Sequence, residues 1–140
     1  MKKIKKNYTA TATNKGGRTG KVSTDDGMLD LELAMPKEIG GTGGKTNPEQ
    51  LFAAAYASCF GGTLAFVSRR VNTDDAEITV QVHSGEAENG GYGLAADILV
   101  RIPQAGSLEE AQKLANLAHK NCMYSNAVKG NIEVNVKAVE

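Results

Sequence analysis

The chain has 140 residues, enough for one domain with a hydrophobic core that needs no metal or disulfide staples. Its 16 Lys and Arg balance 16 Asp and Glu, which leaves no electrostatic basis for binding nucleic acid or an anionic membrane. No apolar leader follows the basic start and no apolar run of transmembrane length is evident, so we expect a cytoplasmic protein.

The first third of the chain is predicted to form an antiparallel meander of three strands followed by a loop. The strands are predicted by the alternation of Tyr8, Ala10 and Ala12, by residues 18–23, and by the apolar face of Leu29, Leu31 and Leu33. Residues 36–46 form a glycine-rich loop that looks somewhat like a phosphate cradle. No parallel-strand pattern precedes this loop, so a nucleotide site is not favoured.

A long central helix is predicted over residues 47–70. Asn47 is expected to cap it, Pro48 to occupy its first turn, and Glu49 to lie near the positive end of its dipole. Residues 51–66 contain almost no charge. A helix that is apolar nearly all round is typically buried.

The remainder, residues 71–140, is predicted to form a ββαβ part. Strands are expected over residues 77–83 and 94–102, and a capping box at residues 107–110 opens a second helix that ends near Cys122. The alternating apolar positions from Ile132 to Ala138 predict a sixth strand. The order of elements indicates an α+β fold in a single domain, divided into residues 1–46, 47–70 and 71–140.

Cys59 and Cys122 are the residues with chemical potential. Two cysteines in a reducing compartment are thiols with a function or inert core residues rather than a permanent bridge. A Cys inside an apolar helix is usually a small buried hydrophobe. A zinc site would need Cys59, His83, His119 and Cys122 to assemble from distant segments, and no tight Cys-x-x-Cys pair anchors one. The spacing of the two cysteines neither proves nor excludes that they form a reactive thiol–disulfide pair.

Three segments resemble the Ohr/OsmC family, and in particular its organic hydroperoxide resistance branch. They are residues 47–60 (NPEQLFAAAYASCF), residues 118–127 (AHKNCMYSNA) followed by Gly130 and Asn131, and Gly16-Gly17-Arg18-x-Gly20. The resemblance runs along the whole chain in order. One departure is Met123, where the family usually has Pro, and it concerns the turn that carries Cys122.

The resemblance implies an OsmC-like fold in which two antiparallel sheets wrap around a long buried central helix in an intertwined homodimer. It implies a peroxidase in which Cys59 attacks the peroxide, Arg18 and Glu49 are its polar partners, and Cys122 resolves the oxidised sulfur. The expected substrates are organic hydroperoxides, and the expected reductant is a dithiol of a lipoylated protein. No cofactor and no metal are expected, nor any nucleic acid or membrane partner.

The chemistry of a thiol explains why such residues are needed. Only the thiolate attacks a peroxide oxygen, and burial in an apolar helix raises the pKa of Cys59. The Arg18 guanidinium is the candidate cation that lowers it, and Glu49 can hold that guanidinium through two parallel hydrogen bonds. The alternative is that Arg18 lies exposed at a turn and Glu49 only serves the helix dipole.

Spacing adds a geometric expectation. Glu49 and Cys59 are ten residues apart on one helix, about 15 Å along its axis, so one guanidinium cannot readily touch both. If Arg18 links them, the carboxylate comes from the second chain of a dimer. A helix broken near its start would remove this argument.

Aromatic and apolar side chains flank both cysteines. Phe52, Phe60, Met123 and Tyr124 are candidates for an apolar substrate pocket that favours organic hydroperoxides, or they are plain core. His83 and His119 are assigned no catalytic role, and His119 is interpreted as a dipole or capping residue. Two other functions stay open: a non-enzymatic dimer that binds an apolar small molecule, and a thiol redox sensor that never turns over.

Overall fold

A computed structural model describes residues 1–140 as two compact units, Met1–Pro48 and Glu49–Glu140. Within the first unit, three short strands form an antiparallel sheet in the order β1-β2-β3, as the sequence predicts. The strands are β1 Ala12–Lys15, β2 Lys21–Thr24 and β3 Asp30–Glu32. Short 3-10 turns at Gly17–Thr19 and Lys37–Ile39 complete this unit.

These strands begin later than predicted. The expected strand around Tyr8 is wrong: β1 starts at Ala12, which pairs with Thr24 at the end of β2, and beyond this pair the Thr11 carbonyl accepts the Asp25 N–H at 3.1 Å. The second strand starts at Lys21 because the 3-10 turn occupies Gly17–Thr19. Leu29 lies in the turn before β3, where its carbonyl accepts a hydrogen bond from the Thr24 N–H at 2.9 Å.

In the second unit, a 20-residue helix is followed by a sheet and two shorter helices. The helices are α1 Pro48–Val67, α2 Leu108–Asn121 and α3 Met123–Val128; the strands are β4 Glu77–Glu86, β5 Tyr92–Arg101 and β6 Glu133–Val139. The expected end of α1 near Arg70 is three residues too late. After Val67 the chain closes a tight turn in which the Arg69 N–H bonds to the Val67 carbonyl at 3.1 Å.

The second sheet has the order β4-β5-β6, and it is mixed rather than antiparallel. β4 pairs with β5 in antiparallel register, but β6 runs parallel to β5, so the prediction of two antiparallel sheets is wrong here. The chain leaves β5 and returns to β6 through α2 and α3, and such a helical crossover brings the next strand back in the same direction. α3 itself was not predicted.

The core of this unit lies between the sheet and its helices. β5 contributes Ala96, Ile98 and Val100 from alternate positions, which therefore share one face of the sheet. α2 contributes alanines at helical spacing, whose small side chains let it lie close to the sheet. The buried members of this cluster are Tyr56, Phe60, Leu64, Ile98, Val100, Ile102, Ala111, Ala115, Ala118, Cys122 and Ala138.

Only one side of α1 is buried within the chain. Tyr56, Phe60 and Leu64, spaced four residues apart, are enclosed, whereas Ala54 and Phe66 are exposed. The expectation of a helix buried all round is therefore wrong for a single chain.

By length and composition alone, α1 is apolar enough to cross a membrane, which corrects the expectation that no segment has that length. The core helix of a globular protein passes the same test, so one such helix is weak evidence for a membrane span. Because Tyr56, Phe60 and Leu64 pack into the cluster formed with the sheet, we treat α1 as a core helix.

Candidate active site

The two cysteines lie side by side in the second unit. Cys59 is in the middle of α1, Cys122 joins α2 to α3, and their Sγ atoms are 3.8 Å apart as free thiols, with Cys122 donating a weak hydrogen bond to Cys59. Cys122 is fully buried, whereas Cys59 is only partly buried. Cys59 is thus the thiol that a dissolved reagent can reach, and Cys122 is the thiol behind it.

The backbone at Cys122 sets this approach. Its N–H donates to the Ala118 carbonyl at 2.7 Å and so ends α2, while its own φ of −65° and ψ of 128° are extended. Its carbonyl accepts the Asn126 N–H at 2.9 Å, which opens α3. A single extended residue between two helices therefore carries the second sulfur toward α1.

The surroundings of Cys59 act on its pKa in opposite directions. Burial is the largest influence and raises the pKa of the Cys59 thiol, and the neighbouring Cys122 raises it further. The backbone N–H groups of Tyr124 and Met123 lower this pKa, because hydrogen bonds to the sulfur stabilise the thiolate. The balance within the chain is a raised pKa, so these two N–H groups do not ionise the thiol by themselves.

The sequence did not indicate a series of hydrogen bonds that lies beside the two sulfurs. The buried Tyr56 hydroxyl is 2.6 Å from Ser125 Oγ, which is in turn 2.8 Å from His119 Nδ1. His119 lies in the last turn of α2, where a dipole or capping residue is predicted, and its ring also bonds the Ser125 side chain. The sequence gives little indication of these hydrogen bonds, because the three polar residues lie on three different helices and form no recognisable motif.

Arg18 and Glu49 lie in different units. Arg18 is exposed in the Gly17–Thr19 turn, where the Asn14 side-chain amide donates to the Gly17 carbonyl at 3.0 Å and accepts the Gly17 N–H at 3.0 Å. Glu49 lies in the first turn of α1. α1 is continuous from Pro48 to Val67, so the helix is unbroken between Glu49 and Cys59, as the spacing argument requires. The link between Arg18, Glu49 and Cys59 stays a prediction.

The four candidate pocket residues differ in their surroundings. Phe60 is fully buried in the core, and Met123 is 72% exposed. Phe52 meets the Tyr56 ring edge-on at a centroid distance of 6.0 Å, and Tyr124 lies 5.9 Å from the same ring. Tyr56 thus bridges two of the four, and a substrate role for the set stays a prediction.

A cavity of about 330 Å³ adjoins these hydrogen bonds. His119 and Ser125 line it, together with Lys120, Lys129 and Asn126. Burial, and next to it the charge of Lys129, lower the pKa of His119. No group of three or more His, Cys, Asp or Glu side chains is arranged to hold a metal ion.

Comparisons with known proteins agree on one family. The family model of OsmC-like proteins matches residues 41–137. The chain is 44% identical over 134 residues to the organic hydroperoxide resistance protein OhrB of Bacillus subtilis, covering 93% of this chain and 96% of that protein. It is 42% identical over 130 residues to the organic hydroperoxide resistance protein of Xanthomonas axonopodis pv. citri, covering 91% of each.

Solved structures give the same result for the fold. The crystal structure of an organic hydroperoxide resistance protein from Legionella pneumophila superposes with a TM-score of 0.90 at 40% identity, covering 97% of this chain and 100% of that one. The chain therefore belongs to the OsmC-like family, in its organic hydroperoxide resistance branch.

Proposed function

We propose that this protein is a thiol-dependent peroxidase that reduces organic hydroperoxides to alcohols. The observation that carries the proposal is the pair of free thiols, one partly exposed and one buried, with sulfurs 3.8 Å apart. Relatives named organic hydroperoxide resistance proteins support hydroperoxides as the substrate class.

The cycle has three balanced steps. The Cys59 thiolate attacks the distal peroxide oxygen, the O–O bond breaks, and the alkoxide leaves as an alcohol after taking a proton; Cys59 becomes a sulfenic acid. The Cys122 sulfur then attacks the Cys59 sulfur, the S–O bond breaks, and hydroxide leaves as water with the Cys122 proton. A dithiol, proposed to belong to a lipoylated protein, reduces the resulting disulfide by exchange.

The first step needs a cation, because burial raises the pKa of the Cys59 thiol. We propose that the Arg18 guanidinium supplies it and stabilises the leaving oxygen, and that Glu49 holds the guanidinium. The 15 Å or so between Glu49 and Cys59 along α1 favours a Glu49 from the second chain of a homodimer. The exposed apolar side of α1, including Ala54 and Phe66, supports such a dimer.

An apolar lining would distinguish organic hydroperoxides from hydrogen peroxide. We propose that Phe52, Phe60, Met123 and Tyr124 contribute to it, because an alkyl tail buried against them adds binding free energy. The proposed setting is the cytoplasm, where a dithiol reductant keeps the pair reduced between turnovers.

The proposed function is tested by the consumption of tert-butyl hydroperoxide with dihydrolipoamide as reductant. The intact protein should turn over repeatedly, and Cys59→Ser should abolish consumption. Cys122→Ser should complete one turnover and then accumulate over-oxidised Cys59. Activity retained by Cys59→Ser would show that the nucleophile is elsewhere.

The same assay separates the other two functions. Binding of an apolar ligand with no peroxide consumption would identify a binding module. One oxidation per chain, with no recycling by any dithiol, would identify a redox sensor.

The role of Arg18 is tested by the pH dependence of Cys59 alkylation. Arg18→Gln should raise the pKa of the Cys59 thiol and slow alkylation at pH 7, whereas Arg18→Lys, which keeps the positive charge, should retain part of the effect. Equal alkylation profiles for all three proteins would contradict the proposed cation.

A further inference from the structure

The hydrogen-bond chain formed by Tyr56, Ser125 and His119 joins three helices at one point. Tyr56 is fully buried on α1, Ser125 on α3 is 4% exposed, and His119 on α2 is partly buried. The distances of 2.6 Å and 2.8 Å make both links good hydrogen bonds. A buried hydroxyl without a hydrogen-bond partner costs free energy. Packings of the three helices that break these two hydrogen bonds are therefore disfavoured.

Each cysteine lies close in sequence to residues that form these hydrogen bonds. Cys59 follows Tyr56 by three residues on α1, one helical turn away. Cys122 lies midway between His119 and Ser125 in sequence, at the single extended residue between α2 and α3. The bond from His119 to Ser125 therefore closes a loop around Cys122, and the bond from Ser125 to Tyr56 ties that loop to the helix of Cys59.

These tertiary bonds hold the turn at Cys122 together with its backbone hydrogen bonds and with the Asn126 side-chain amide, which donates to the Cys122 carbonyl at 2.9 Å. The next residue is Met123, which has no ring to restrict its backbone as proline would have. Disulfide formation requires the sulfurs to move from 3.8 Å to bonding distance, about 1.8 Å closer. A fixed loop makes this short approach the main motion that the second step needs, since the entropy of bringing the thiols together is already lost.

We propose that Tyr56, Ser125 and His119 are positioning residues for disulfide formation: they hold Cys122 against Cys59 and so set the rate at which the sulfenic acid is resolved. This inference rests on the proposed peroxidase function for its sulfenic acid. In that step the S–S bond forms as the S–O bond of Cys59 breaks, and the Cys122 proton leaves with the hydroxide as water.

The test compares the two half-reactions in Tyr56→Phe and Ser125→Ala. Stopped-flow mixing with one equivalent of tert-butyl hydroperoxide gives the rate of Cys59 oxidation, and rapid acid quenching with mass spectrometry gives the rate of disulfide formation. Oxidation should stay within about twofold, while disulfide formation should slow about tenfold, the effect of losing one buried hydrogen bond. The over-oxidised fraction should rise accordingly.

Matched variants separate positioning from a general loss of structure. Tyr92→Phe makes the same chemical change at an exposed tyrosine of the same unit and should leave both rates unchanged. Ser125→Thr keeps a hydroxyl and should restore disulfide formation relative to Ser125→Ala. Equal disulfide formation rates in Tyr56→Phe and the unchanged protein, or an equal fall in both half-reactions, would overturn the proposal.

A second measurement does not depend on peroxidase activity. The equilibrium between the dithiol and the disulfide in glutathione buffers reports how well the fold presents Cys122 to Cys59. Its constant for disulfide formation should fall about tenfold in Tyr56→Phe, since one hydrogen bond is lost. If the unchanged protein forms no sulfenic acid, the peroxidase proposal fails, and this equilibrium still decides the positioning role: an unchanged constant would refute it.

Discussion

Met123 directly follows Cys122, and the structure shows what its backbone contributes to the site. Cys122 has φ −65° and ψ 128°, the extended conformation that the residue before a proline prefers. The turn therefore has a shape that proline fits even though Met123 occupies it. Unlike proline, Met123 has a backbone N–H, and this N–H lowers the pKa of the Cys59 thiol.

Met123→Pro should separate these two effects. We expect the free energy of unfolding to change little, because the gain of about 0.4–1 kcal/mol from the reduced freedom of the unfolded chain is offset by loss of the Met123 N–H hydrogen bond to the Cys59 sulfur. We also expect it to raise the pKa of the Cys59 thiol, because one hydrogen bond to the thiolate is lost. Urea unfolding and the pH dependence of Cys59 alkylation measure the two effects.

Met123→Ala is the matched control, because it removes the side chain and keeps the N–H. It should leave the alkylation profile unchanged. A profile shifted equally in both variants would mean that the side chain, not the N–H, influences Cys59.

At the scale of elements, α2 is the scaffold that places Cys122 at its end. Ser107 caps its start by accepting the Glu110 N–H at 3.0 Å, and the Glu110 carboxylate accepts the Gly106 N–H at 2.6 Å. On its side, the Gln112 side chain accepts the Ala138 N–H at 2.7 Å and donates to the Val136 carbonyl at 3.1 Å, so it binds the backbone of β6. α2 is thus fixed at its first turn and along the sheet.

Ser107→Ala should destabilise the protein by about 0.5–2 kcal/mol, because the Glu110 N–H loses its acceptor at the helix start. Ser107→Gly should cost only a few tenths of a kcal/mol, since glycine leaves this backbone group open to water. Urea denaturation of both variants measures the difference. Equal losses would argue that the cap hydrogen bond is not the cause.

His119 makes the contact between α2 and α3 sensitive to pH. Burial and the charge of Lys129 lower the pKa of His119 in the folded protein, so the unfolded chain binds the proton more readily. The stability that His119 contributes is therefore complete above its ordinary pKa of 6.5 and is lost as the pH falls through the lower pKa of the folded state.

His119→Gln should consequently flatten the fall in stability below neutral pH. The measurement is the urea midpoint of both proteins from pH 7.5 to pH 5. Both proteins contain the same carboxylates, so the titration of these groups affects the two curves equally. Parallel curves for the two proteins would show that another group is responsible for the acid sensitivity.

At the scale of the whole molecule, the cysteine pair joins distant parts of the chain. Cys59 and Cys122 are 63 positions apart in sequence and meet only because α1 and the end of α2 pack in one core. A bond between them would close a long loop and so restrict the unfolded chain strongly. We therefore expect a disulfide between them to raise the free energy of unfolding.

Oxidation of the pair should raise the free energy of unfolding by up to about 4 kcal/mol on the chain-entropy estimate for a loop of this length. Urea unfolding of the reduced protein and of protein treated with one equivalent of hydroperoxide measures the change. Cys122→Ser is the control and should show no such gain. No difference in the unchanged protein would mean that the disulfide is strained or does not form.

Much of the fold follows from local patterns in the sequence. The start of α1 at Pro48, the Ser107 cap of α2 and the positions of β4, β5 and β6 were predicted to within a few residues. These features depend on hydrophobic period, capping residues and glycine turns, all of which act between close neighbours in the chain. The candidate cysteines and the OsmC-like family were likewise evident from residue types and motifs alone.

Other features needed the tertiary structure, because they depend on residues distant in sequence. The parallel pairing of β6, the one-sided burial of α1, the 3.8 Å between the sulfurs and the bonds of Tyr56 and His119 to Ser125 are all of this kind. A local pattern records which face of an element is apolar, but not which element covers it. The sequence by itself thus determined the elements, the reactive residue types and the family, while packing alone decided which side chains meet.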